Sequence, residues 1–160
     1  MAKIGIIGAG SWGIALSVLL HNNGHEITVW SILEDEINML KTEHEHKDKL
    51  PGVKLPEDMI FTTSLPEAIE GKDILVLAVP SPFTRSTSHN MKPYVADGQI
   101  IVNVAKGIEE HTLMTLSQII EEEVPQANVA VLSGPSHAEE VGRDIPTTIV
   151  VGAKTRETAE

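Results

Sequence analysis

Cysteine is absent from all 160 residues. Disulfides, thiolate metal centres and thiol nucleophiles are therefore excluded, and a cytoplasmic setting fits. Aromatic residues are scarce, 3% against 41% hydrophobic overall, so the core must be aliphatic. Buried parallel strands, which read as runs of Ile, Val and Leu, suit that composition. Positive charge is also in deficit: 12 Lys and Arg stand against 23 Asp and Glu, a formal net charge of -11. Such a surface repels nucleic-acid phosphates and anionic lipid, so neither is expected as a partner. A site for an anionic small molecule must create its own local positive field. Long apolar runs are missing as well. Lys3 and the uncharged stretch from Ile4 to Leu20 imitate a signal peptide. Gly5, Gly8, Gly10 and Gly13 interrupt that stretch, no small-residue cleavage site stands out, and it falls short of the ~20 apolar residues a span needs.

No histidine follows His137. This decides against one enzyme class, because Gly134-Pro135-Ser136-His137-Ala138 imitates the G-x-S-x-G elbow of a serine hydrolase. Such a hydrolase needs an acid and then a histidine later in the chain. That order cannot be completed, and Ala138 replaces the second glycine. Metal spacing is lacking too. His44 and His46 are two apart among Glu43, Glu45 and Asp48, which suits no zinc pair on a helix and reads as a hydrated loop. His21 and His25 flank an Asn-Asn-Gly turn and are expected to be exposed, and His89 and His111 carry no pattern.

What the chain does have is concentrated near its start. Gly8-Ala9-Gly10-Ser11-Trp12-Gly13 follows the apolar run Ile4–Ile7, which reads as a strand, and precedes Ile14–Leu20, which reads as a helix. In that setting a GxGxxG motif is a dinucleotide fingerprint. Gly8 allows the tight turn, Gly10 removes the Cβ that would block a pyrophosphate, and Gly13 lets the helix lie close. The helix end supplies N–H donors and a partial positive charge.

Beyond the motif the pattern alternates. Strands are expected at Glu26–Trp30, Met59–Thr62, Asp73–Val79, Gln99–Val104, Asn128–Leu132 and Thr147–Val151. Helices are expected at Leu33–Lys41, with Leu33, Ile37 and Leu40 inward; from the capping box Ser64…Glu67 to Gly71; after Ser81-Pro82; over Thr112–Glu123, with Leu113, Leu116, Ile119 and Ile120 inward; and from Ser136, boxed by Glu139. Thr42–Pro56 reads as a polar surface excursion. This alternation implies an α/β, doubly wound, mostly parallel sheet forming a single dinucleotide-binding domain over 1–160. The loops after Ile7, Trp30, Val79, Val104 and Leu132 should then gather on one edge, where such sheets bind ligands.

That edge holds further candidates. Acid at the end of the second strand would mark NAD, and an arginine would mark NADP. Trp30-Ser31 offers neither, and Glu34 lies into the next helix. The missing acid removes one repulsion against a 2′-phosphate and tilts the reading toward NADP, with NAD kept open. Pro80, after Ala78-Val79, either contacts a nicotinamide ribose or only stops a strand. Arg85 reads as a solvated helical arginine. Lys106, at a strand end before Gly107, is either a cation in the mouth of the sheet or a surface lysine. The bare helix end after Ser136 could cradle an anion.

Taken together and in this order, Gly8–Gly13, Ala78–Ser81, Lys106-Gly107-Ile108-Glu109 and Ser133–Val141 resemble the blocks of bacterial NAD(P)-dependent glycerol-3-phosphate dehydrogenase. The resemblance covers Lys3 to about Val151. It implies hydride transfer between NAD(P)H and dihydroxyacetone phosphate, a phosphorylated small molecule, giving sn-glycerol 3-phosphate for phospholipid synthesis. It also implies cofactor contacts at Ser11, Trp12, Lys106 and Ala138, and substrate contacts at Lys106, Gly134 and Ser136; Ser31 and Pro80 are cofactor-side candidates from their place at strand ends. The family's proton-donating lysine and its phosphate-gripping Arg-Asn pair lie in a helical C-terminal domain beyond these 160 residues. The chain alone is therefore expected to bind a dinucleotide with negligible turnover, and an uncovered apolar face would favour self-association. The family's basic residue after the second strand is replaced by Ser31-Ile32-Leu33, and its aromatic before Leu-Pro by Lys49. A sibling 3-hydroxy acid dehydrogenase shares the glycine motif but not the Ser-Gly-Pro-Ser block. A non-catalytic dinucleotide sensor is the reading from another class.

Overall fold

A computed structural model describes all 160 residues, Met1–Glu160. Seven strands form one sheet: β1 (Lys3–Ile7), β2 (Glu26–Trp30), β3 (Ile60–Thr62), β4 (Ile74–Leu77), β5 (Ile100–Asn103), β6 (Asn128–Ser133) and β7 (Val150–Ala153). Their order is β3-β2-β1-β4-β5-β6-β7. The first six are mutually parallel, and β7 runs antiparallel to β6. The order reverses between β1 and β4. Their connections leave in opposite directions there, and a crevice opens at the carboxyl edge.

Alternation along the strands splits the core into two layers. Ile4, Ile6, Val29 and Val76 face α1 (Ser11–Asn22), α2 (Glu34–Glu43) and α6 (Ala138–Gly142). Ile7, Leu75, Leu77 and Ile101 face α3 (Leu65–Ile69), α4 (Thr84–Met91) and α5 (Leu116–Glu123). A final short helix, α7 (Arg156–Ala159), follows β7. The strands carry side chains buried on both faces, which accounts for their unbroken aliphatic sequence. No helix is long and apolar enough to cross a membrane.

Several local expectations are corrected. The Thr42–Pro56 segment is no surface excursion: His46, Leu50, Val53 and Leu55 are all buried. Leu50 and Val53 pack under α6 at Gly142. Their irregular spacing gives no period to read, so the segment looked polar. Leu33 is no core residue; it is 55% exposed and sits just outside α2. The helix expected from Thr112 begins only at Leu116, because Thr115 is the stronger cap. Its hydroxyl accepts from the Gln118 amide at 3.4 Å and its own amide donates to the Gln118 side chain at 2.8 Å. Leu113 is left in a left-handed conformation (φ +59°), 76% exposed. Ser136 caps nothing; α6 starts one residue later, with His137 at its cap position. The Ser64 box is half made, since the Glu67 carboxylate takes the Thr62 hydroxyl instead. The last strand is displaced from Thr147–Val151 to Val150–Ala153.

Candidate functional site

The opening motif folds as a turn locked between two strands. The Gly8 amide donates to the Trp30 carbonyl at 2.9 Å. Gly8 has φ +119°, and a Cβ there would lie 2.8 Å from the Ala78 carbonyl, so only glycine fits. At Gly13 a Cβ would lie 2.2 Å from the Gly8 carbonyl oxygen, which brings the start of α1 against the turn. Gly10 differs: a Cβ there would meet nothing within 4 Å. The first amide of α1 to find a backbone acceptor is that of Ile14, bonded to the Gly10 carbonyl at 2.9 Å. No side chain caps the amides before it. A row of bare donors at the positive end of a twelve-residue helix thus points into open space, the arrangement that holds anionic oxygens.

Two cavities flank that helix end. One, ≈ 460 Å³, lies between Gly10, Ser11 and Trp12 on one wall and Lys106, Ser136 and Ala138 on the other. Ala78–Ser81 also line it. Lys106 is exposed, and its Nζ donates to the Gly134 carbonyl at 3.1 Å. The ammonium therefore sits in the mouth of the sheet and reaches toward the loop after β6. The second cavity, ≈ 470 Å³, begins at Gly8 and Gly10 and runs past Ser31 to Ile32, Leu33 and Phe83. Ile32 and Phe83 are 76% and 58% exposed, so this end offers uncovered apolar surface. The loops after β1, β2, β4, β5 and β6 do gather on one edge, as the alternation implied.

An acid does stand behind β2, in the following helix and not at the strand end. Glu36, in the first turn of α2, is buried and folds back to receive the Ser31 hydroxyl. His46 Nε2 lies 2.8 Å from Glu36 Oε1, and Lys49 Nζ bonds the same oxygen at 2.5 Å. The Lys49 amide donates to His46 Nδ1 at 3.3 Å. His46 Nδ1 is thus an acceptor and Nε2 carries the proton, which leaves neither nitrogen free for a metal. Burial alone would raise the Glu36 carboxyl; hydrogen bonds from Lys49, Ser31 and His46 outweigh it and hold the group below the usual carboxylate range. Glu36 and Lys49 both line the second cavity, together with Ser31, Ile32 and Leu33. The signal available in the sequence was the replacement of an aromatic by Lys49; Glu36 had none, because only the fold of residues 44–59 brings its partners to it.

Residues 3–159 match the family described as NAD-dependent glycerol-3-phosphate dehydrogenase N-terminus. The chain belongs to that family. The glycerol-3-phosphate dehydrogenase [NAD(P)+] of Agathobacter rectalis is 66% identical over 160 residues, covering 100% of this chain and 48% of the relative. That of Fusobacterium nucleatum is 58% identical over 159 residues, covering 98% and 48%. The chain spans about half the length of these curated relatives. The crystal structure of glycerol-3-phosphate dehydrogenase from Coxiella burnetii superposes with a TM-score of 0.91 at 29% identity, over 98% of this chain and 48% of that one.

Of the site residues expected from the sequence, the fold brings Gly10, Ser11, Trp12, Pro80, Lys106, Ser136 and Ala138 to the first cavity. Gly8 and Ser31 line the second. Ser31 is 5% exposed and its hydroxyl is spent on Glu36 and the Leu33 amide, so it shapes the wall with no free polar group. Gly13 is buried beneath the turn. Gly134 lines neither cavity; its carbonyl accepts from the Lys106 ammonium. Arg85 is not the solvated arginine the sequence suggested. Its guanidinium is bidentate to Glu109, at 2.7 and 2.8 Å, and also bonds Glu122 and Glu123 at 2.6 and 2.7 Å. The Arg85 guanidinium, followed by the Thr112 hydroxyl, holds the Glu109 carboxyl down to about 2. The histidines at the Asn-Asn-Gly turn are likewise partnered: His21 Nε2 is 2.8 Å from Asp58, and His25 Nδ1 accepts from the Ala2 amide at 3.1 Å.

Proposed function

We propose that this chain is the dinucleotide-binding half of an NAD(P)-dependent glycerol-3-phosphate dehydrogenase, acting on dihydroxyacetone phosphate and sn-glycerol 3-phosphate. The observation that carries the reading is the row of bare amides at Ser11, Trp12 and Gly13, facing Lys106 across one cleft. The residues fit a dinucleotide. The space over Gly10 admits a diphosphate, the apolar surface of Ile32, Leu33 and Phe83 suits a base, and the helix end offsets the anion's charge. When bound, the nicotinamide supplies the hydride.

This chain's own residues bind and orient. The α1 amides hold the diphosphate. Trp12 and Ala138 wall the cleft and exclude water, which strengthens every charge interaction inside it. Lys106, held at the Gly134 carbonyl, places a cation where negative charge develops on a carbonyl oxygen or where a substrate phosphate sits. The Ser136 hydroxyl adds a donor on the same wall. Tryptophan emission tests the reading, because Trp12 lines the cleft. Titration with NADH and NADPH should quench it saturably. No quenching up to millimolar cofactor would overturn the proposal.

The choice between the two cofactors falls to Lys49. It gives one donor to Glu36, is 44% exposed and lines the second cavity, so two N–H donors remain for a 2′-phosphate. This supports NADP as the favoured cofactor. Lys49→Met should weaken NADPH binding about tenfold, equivalent to about 1.4 kcal/mol, and move NADH binding less than about twofold. Equal losses for both cofactors in the same titration would refute the assignment.

A further inference from the structure

We propose that Arg85 is a positioning residue for Lys106, holding the loop between β5 and α5 so that the Lys106 ammonium stays in the cleft; this rests on the reading of Lys106 above. The loop, residues 105–115, starts from Val104, which is buried in the core and whose amide donates to the Leu77 carbonyl at 3.1 Å; past Lys106 it has few further attachments. Two of its large apolar side chains face solvent, Ile108 at 61% and Leu113 at 76% exposed, while Met114 is half-buried and its sulfur accepts from Arg85 Nη2 at 3.6 Å. Burial of hydrophobic surface therefore contributes little to its placement. Internally it closes on itself as a small hairpin. Ile108 bridges Thr115, the Glu109 amide donates to the Met114 carbonyl at 3.0 Å, and the Leu113 amide donates back to the Glu109 carbonyl at 3.0 Å. That closure fixes the loop's shape and leaves its attachment to the domain to other groups.

Two attachments flank Lys106. On the strand side, Asn103 Nδ2 donates to the Ala105 carbonyl at 3.0 Å. Three residues beyond Lys106, the Glu109 carboxylate is gripped side-on by Nε and Nη2 of the Arg85 guanidinium. Between them Gly107 rests on Ser81; a Cβ there would come within 2.9 Å of the Ser81 side chain. Arg85 also bonds Glu122 and Glu123 on α5, so a single guanidinium joins α4, α5 and the loop. Fixed-fork, bidentate pairing confers geometry as well as attraction, which a lysine in this place would not reproduce.

The charge balance makes the arrangement one-sided. Glu109, Glu122 and Glu123 converge on Arg85, and the other cationic candidates beside them are His89, 3.1 Å from Glu123 and exposed, and His111, exposed and close enough to Glu109 to act on its charge. With Arg85 removed, the carboxylates repel, and the loop is the part free to yield. Lys106 then leaves the Gly134 carbonyl and the cleft loses its cation.

A double-mutant cycle tests this. NADPH affinity, read by tryptophan quenching, and the urea midpoint are measured for Arg85→Gln, Lys106→Ala and the double variant. Arg85→Gln should weaken NADPH binding about five- to tenfold in the parent protein and cause no further loss in the Lys106→Ala background. Its effect on the urea midpoint should be the same in both backgrounds. Equal affinity losses in both backgrounds would show that Arg85 only stabilises the fold, and would overturn the inference while leaving the cleft reading intact. If Lys106→Ala leaves affinity unchanged, the role of Lys106 and this inference both fall. Glu122→Gln, which spares the Arg85–Glu109 fork, should shift the urea midpoint without changing affinity. Should Arg85→Gln fail to fold, Glu109→Gln cuts the same tether and must give the same background-dependent loss.

Discussion

Gly10→Asp is expected to weaken dinucleotide binding at least about 100-fold, or about 2.7 kcal/mol, and to leave the fold in place. Both halves of that expectation come from the same position. A side chain at Gly10 meets no protein atom within 4 Å, so folding has no reason to object. The space it enters is the one toward which the α1 amides point. A carboxylate there satisfies those amides itself, as an N-cap aspartate does, and its charge opposes an incoming diphosphate. Gly13→Val is the contrasting case. Its Cβ would stand 2.2 Å from the Gly8 carbonyl oxygen, so the turn cannot close and stability falls along with binding. Cofactor titration beside urea denaturation separates the two outcomes. A Gly10→Asp protein that still binds NADPH with parental affinity would remove the central argument for the site.

Glu36→Gln should lower stability by about 2–4 kcal/mol at neutral pH, the scale expected when one member of a buried, hydrogen-bonded charge cluster is lost. The Ser31 hydroxyl, His46 Nε2–H and Lys49 ammonium all donate to this carboxylate. An amide nitrogen in place of one oxygen would face donors. Lys49 is exposed enough to regain water, whereas His46, 2% exposed, is not; this places the cost below that of a fully buried ion pair. The pH dependence follows from the depressed carboxyl. Its contribution is fully present above the unfolded value near 4.5 and is lost as pH falls through the lower folded value. The stability gap between parent and Glu36→Gln, measured from urea midpoints, should therefore be widest at pH 7 and shrink on acidification toward pH 3. A gap that stays constant across that range would mean the carboxylate is not the group that matters.

Glu36 also shows where reading the chain by pattern stops. Strand β2 could be bounded to the residue, Glu26–Trp30, because its apolar run ends at a polar serine and begins after an Asn-Asn-Gly turn. The nucleotide turn was legible for a similar reason: its strand, glycines and helix are contiguous, and each glycine answers a local steric demand. The gathering of Lys106 and Ser136 opposite Ser11 followed from strand direction alone. Glu36 and Arg85 are out of reach of pattern reading because their roles are set by partners brought together by the tertiary fold, and Lys49 stands out only as a departure from an aromatic, with its partner Glu36 hidden. Arg85 meets carboxylates 24, 37 and 38 positions away, and nothing in its own neighbourhood distinguishes it from a helical surface arginine. Leu113 failed differently. The helical period extends through it, but the Thr115–Gln118 box captured the helix start, and a capping preference outweighed one apolar contact.

The walls of the cleft are drawn from the loops after β1, β2, β4, β5 and β6, and so from residues spread between Gly8 and Glu139. No shorter cooperative piece of the chain can present that surface. Occupancy of the cleft consequently protects the whole domain at once: by mass action, a ligand at a hundred times its dissociation constant shifts the folding equilibrium by about 2.7 kcal/mol. The fraction of molecules open to proteolysis then falls with the supply of that ligand, so turnover of the protein would track how well its cleft is filled.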